Sequence, residues 1–123
     1  MAKEKYMEEF DDFMNKYISG TTSGEEAGAL IARLAQYYCE KNMGLATRDV
    51  SYNKKYSELA DSIDEITGKP ISMAKAEIMT KATDEYGRYL EAKIHIQNLE
   101  QCINSLKSLQ KGILNEFSHV GNI

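Results

Sequence analysis

"ITGKPIS", Ile66 to Ser72, holds the only proline of the chain and stands between two long segments whose apolar residues recur at helical spacing. Its reading decides the fold. Gly68 can take the left-handed conformation that ends a helix, Pro70 cannot continue one, and Ser72 can cap the next. So tight a connection joins antiparallel neighbours rather than separate domains. The sequence therefore predicts an all-α chain: a long antiparallel helical hairpin with arms at about 25–67 and 72–117, a turn at 68–71 and a tail at 119–123.

Upstream of the turn, Ile31, Tyr38, Leu45, Tyr52, Leu59 and Ile66 recur every seventh residue, which keeps them on one seam of a long helix. Gly44 lies inside that run, where it costs a helix about 1 kcal/mol relative to alanine and marks a place where the arm can bend. The companion row is polar in its middle, at Lys41, Asn42, Arg48 and Asp49, and apolar again at Tyr56 and Ile63. Downstream, Ile78, Ala82, Tyr89, Ala92, Ile96, Leu99, Ile103, Leu106, Ile113 and Phe117 step by threes and fours, as one continuous helix would place them.

The N-terminal part reads as a short amphipathic helix over 3–18. Tyr6, Phe10, Phe13, Met14 and Tyr17 share one stripe, with acidic pairs opposite. A linker at 19–24 follows, and both Thr22-x-x-Glu25 and Ser23-x-x-Glu26 fit a capping box. With 123 residues, 42% hydrophobic and 28% charged, the chain has the length and apolar content for a single folded domain. Two long helices and one short partner leave apolar surface uncovered, so a homo-oligomer is expected.

Composition narrows the function. No apolar run is long enough for a membrane span, and the acidic N-terminal region lacks a signal-peptide pattern, so the expected location is cytoplasmic, without a membrane. The net charge of −4 argues against a strongly basic nucleic-acid binder, leaving nucleic acid as a secondary expectation. Cys39 and Cys102 form no CxxC pair and are expected reduced and buried, although the hairpin register also places them near one level.

That register follows from equal rise on the two arms: levels match where the two residue numbers add up to about 139. Tyr52 and Tyr56 then face Tyr86 and Tyr89, with Arg48 and Arg88 nearby. Four tyrosines at one level form either an aromatic layer of the core or a stacking platform for a nucleotide or single strand, with the arginines as anion partners. These six residues are the candidate ligand or partner surface.

Glu91 and His95 share a helix face near Arg48 and Asp49, where an ion-pair belt explains them better than a metal site. Neither His95 nor His119 is placed to activate a nucleophile, and Gly20 and Gly24 fit no phosphate-loop pattern. Lys107 and Lys111 near the C-terminus read as a solvated helix face. The sequence thus predicts no enzyme, no cofactor and no metal, with a protein partner as the first expectation.

Over residues 71–118, the spacing Tyr89, Ala92, Lys93 and the run "INSLKSLQKG" (Ile103–Gly112) resemble the C-terminal half of small helical proteins encoded in early regions of bacteriophages and prophages. That resemblance implies an accessory protein acting by contact inside a bacterial host. Such a protein inhibits a host defence complex, as anti-CRISPR proteins do, or assists phage recombination. It implies no catalytic residue. A structural assembly subunit is the remaining alternative.

Overall fold

A computed structural model describes residues 3–121, with side chains described as far as Asn115. The chain is all-α, with four helices in order: α1 (Lys5–Ile18), α2 (Gly24–Ala60), α3 (Met73–Lys81) and α4 (Asp84–Gly121). Contacts divide it into two compact units. The first is made by the chain up to Glu40 and from Gln97 onward, the second by Lys41–Ile96. Helices α2 and α4 pack against each other within each unit, as the predicted hairpin requires.

The first unit holds the main apolar core. Tyr6 and Phe13 of α1, Ala27, Leu30 and Leu34 of α2, and Leu99 and Leu106 of α4 are all buried, with Phe10, Met14, Ile31 and Ile103 packed around them. The stripe on α1 is the one its spacing predicts, except that Tyr17 at its end is exposed. Ser23, rather than Thr22, caps α2, its hydroxyl accepting from the Glu26 backbone N–H at 3.1 Å.

Small residues at the start of α2 let α4 come close. The Gln110 side-chain amide donates to the Gly24 carbonyl at 3.1 Å. A Cβ on Gly28 would lie 2.9 Å from that same amide nitrogen. Across the unit the Tyr38 hydroxyl donates to Glu100 Oε1 at 3.1 Å, within a few residues of the predicted register. This bond is the first cause of the raised Tyr38 phenol pKa.

Three expectations need correction. Helix α2 runs unbroken through Gly44 but stops at Ala60, not at 67. Ser62 turns the chain by donating its hydroxyl to the Leu59 carbonyl at 2.6 Å. Residues 61–72 then form a closed connection, larger than the predicted turn at 68–71. The Asp64 N–H bonds to the Lys69 carbonyl, Gly68 to Asp64, and Ile71 to Ser62. Gly68 takes φ +68°, the left-handed turn expected of it. Ile63 and Ile66 lie in this connection and are exposed instead of continuing the seam.

The second arm is two helices, not one. Thr80 donates its hydroxyl back to the Ala76 carbonyl, and Thr83 donates to the Thr80 carbonyl, both at 2.6 Å. Bonds from Ala82 N–H to Met79 and from Thr83 N–H to Thr80 tighten the last turn of α3. The break shifts the helical phase, so Ile78 and Ala82, predicted in the seam, are exposed. The third correction lies at the far end, where α4 continues to Gly121 past the predicted end at 117. The side chains of Phe117 and His119 lie outside the described residues.

Candidate functional site

Tyr86 and Tyr89 are three residues apart on α4, and so share a face; Tyr52 meets them from α2. The Tyr52 ring centroid lies 5.3 Å from both. It stacks on Tyr89 at an interplanar angle of 12°, while Tyr86 and Tyr89 are tilted at 6.4 Å. All three are half-buried. The geometry is that of an aromatic layer whose ring faces are already used by one another, and a separation of 5.3 Å leaves no room for a base between Tyr52 and Tyr89. Tyr56 is half-buried one turn further along α2, and makes no ring contact with the other three among the described residues.

None of the four tyrosines lines the surface that Arg48 and Arg88 share. The two arginines line a concave surface of about 280 Å³ between α2 and α4, together with Ser51, Lys54, Lys55, Glu58 and Glu85. The six predicted residues therefore form two features, an inward ring layer and an outward basic groove, with Tyr56 in neither. Lys54 and Lys55 are not among the residues that the tyrosine register singles out. For Lys55 the signal is its spacing of seven residues from Arg48, two helical turns along one face; Lys54 has no such signal.

A second feature was also missed. Met43 and Val50 on α2, Leu90 and Ile94 on α4, Met73 and Ile78 on α3, and Ile63 and Ile66 in the connection are large apolar side chains open to solvent. Ile66 is 91% exposed and Val50 68%. All belong to the second unit. Met43 and Val50 sit seven apart but out of phase with the Leu45 and Tyr52 seam, and this second stripe was legible in the sequence.

Polar and nucleophilic groups elsewhere have modest settings. Asp64 Oδ2 accepts from Lys75 Nζ at 2.8 Å and Oδ1 from the Ile66 N–H at 2.9 Å. The Lys75 bond, followed by that backbone N–H, lowers the Asp64 pKa. His95 Nε2 is 3.8 Å from Glu91 Oε1, the partner its spacing suggested. Cys102 is half-buried in a crevice between α1 and α4, and burial raises its thiol pKa. Cys39 is exposed, contrary to the expectation of burial, because it lies off the face that carries Leu34 and Tyr38. Both cysteines are free. Among the described residues no three His, Cys, Asp or Glu side chains come together as metal ligands. Among the same residues, no helix is long and apolar enough to cross a membrane.

Set against known proteins, the chain matches no family model, no curated protein and no solved structure.

Proposed function

We propose that this protein is a non-enzymatic accessory protein that acts by binding another protein through its second unit. One observation carries the reading: among the described residues of that unit, Ile96 is the only large apolar side chain that is buried, while nine stand exposed. Burying a leucine- or isoleucine-sized side chain is worth about 1.5–3 kcal/mol. We read this excess of exposed apolar side chains in one unit as a surface that a partner covers. The first unit has the opposite distribution and supplies the stability.

The resemblance of residues 71–118 to phage early-region proteins supports a partner of the kind those proteins meet: a host defence complex or a phage recombination protein in the bacterial cytoplasm. A second copy of the chain is the competing occupant of the same surface, consistent with the expected homo-oligomer.

The test is capture from phage-infected bacterial lysate by the tagged full chain, beside a Val50→Asp, Ile94→Asp variant. Both positions are exposed, so the variant keeps its helicity. The expected result is one stoichiometric protein retained by the parent and lost by the variant. A protein retained equally by both overturns the assignment of the surface. Sedimentation of the parent alone, showing concentration-dependent mass that the variant lacks, assigns the surface to a second copy.

A further inference from the structure

We infer that the groove between Arg48 and Arg88 is a binding site for phosphate-bearing anions, read by charge and without base stacking. Four cations line one concave surface: Arg48, Lys54 and Lys55 from α2, and Arg88 from α4. Only Glu58 and Glu85 oppose them there, so the groove carries positive charge on a chain whose net charge is −4. One ion pair is formed inside it, Lys55 Nζ to Glu58 Oε2 at a long 3.9 Å. Among the described residues no carboxylate lies within ion-pair distance of Arg48, Lys54 or Arg88. Unpaired like charges facing each other across two helices repel, and a bound polyanion would relieve that repulsion.

The chemistry of the donors fixes the ligand class. Two guanidinium groups offer planar forks suited to phosphate oxygens, and two ammonium groups add point charges beside them. The volume of about 280 Å³ is at the lower limit of small-molecule pockets. The groove's lining is charged or hydroxyl-bearing throughout, with no ring and no apolar side chain to hold a base, and so suits phosphoryl groups. The tyrosines that would stack a base lie outside the groove and are stacked on each other. Recognition is therefore of the phosphates, as carried by a single-stranded nucleic-acid backbone or by free polyphosphate.

This site is independent of the apolar surface proposed above. Its test is fluorescence anisotropy of the full chain with short labelled oligo-dT and oligo-dA at low salt, with inorganic tripolyphosphate as competitor. The expected result is equal affinity for the two strands and a fall in affinity with salt of slope between about −1 and −3 on logarithmic axes. Arg48→Ala with Arg88→Ala should weaken binding at least about tenfold. Lys54→Glu should do likewise, and Lys107→Ala with Lys111→Ala should leave it unchanged. These side chains are all exposed, and circular dichroism verifies that each variant folds. Full competition by tripolyphosphate assigns the site to phosphate as such, while resistance to it assigns the site to the strand backbone. Absence of binding at low salt, indifference to the arginine pair, or equal loss in the Lys107 and Lys111 variant would overturn the inference.

Discussion

Leu99→Ala tests the first unit's core at one of its fully buried positions. Leu99 has no exposed surface and is packed among the buried set formed by Tyr6, Phe13, Leu30, Leu34 and Leu106. Truncation removes three carbon groups from full burial, about 2.4 kcal/mol of transfer free energy at ~0.8 kcal/mol each. The cavity left behind raises the cost to about 3–4 kcal/mol, since leucine-to-alanine changes at closed sites span about 2.7–5. Alanine's slightly better helix propensity returns only a few tenths. Ile94→Ala, on the same helix but half exposed, should cost less than about 1 kcal/mol. In urea unfolding followed by circular dichroism, an m-value of about 2 kcal/mol/M turns the Leu99 loss into a midpoint drop of about 1.5–2 M. Midpoints for Leu99→Ala and Ile94→Ala that agree within experimental error would refute the assignment of the core. Leu99→Asp, which puts a charge in the same place without a partner, should leave no cooperative transition at all.

Three further outcomes follow from local geometry. Because Lys75 and the Ile66 N–H stabilise its charged form, Asp64 should titrate below the ordinary carboxylate value of about 3.9. Its contribution to stability is present above that range and lost as pH falls through the lowered folded value. Carboxyl NMR should show the midpoint moving up in Lys75→Met, and no movement would remove the lysine as the cause. A maleimide should label exposed Cys39 well before half-buried Cys102, and mass spectrometry of partial reactions gives the order directly. Thr83→Ala removes the hydroxyl that bonds the Thr80 carbonyl and receives the Tyr86 N–H. It should cost about 1 kcal/mol, as loss of a helix cap does, and an unchanged melting curve would show that the break between α3 and α4 does not depend on it.

The seam of the hairpin was legible because its signal is repeated many times. From Tyr89 to Leu106 the apolar steps keep one phase, and the contacts of Tyr38 with Glu100 and of Tyr52 with Tyr89 sit at the levels that equal rise predicts. The helix ends were harder to read, since each is set by one or two hydroxyls. Ser62 and Thr83 bond to carbonyls three residues back, and nothing in apolar periodicity reports that choice. A partial signal was present at Thr83, which is followed by Asp84 and Glu85 as a helix start would be. The candidate site was half legible. Tyrosine spacing brought Tyr52, Tyr86 and Tyr89 together, but whether rings face a ligand or each other depends on side-chain angles that spacing does not carry.

The account rests on a division of labour along α4, whose Leu99 and Leu106 lie in a packed core while Leu90 and Ile94 face solvent. Hydrogen exchange resolved along that one helix tests it most directly. Amides from Leu99 to Leu109 should exchange only through global unfolding, and those from Arg88 to His95 should exchange faster, by local opening of the second unit. Equal protection along both stretches would contradict the account, since it would mean that the second unit needs no partner to be as stable as the first.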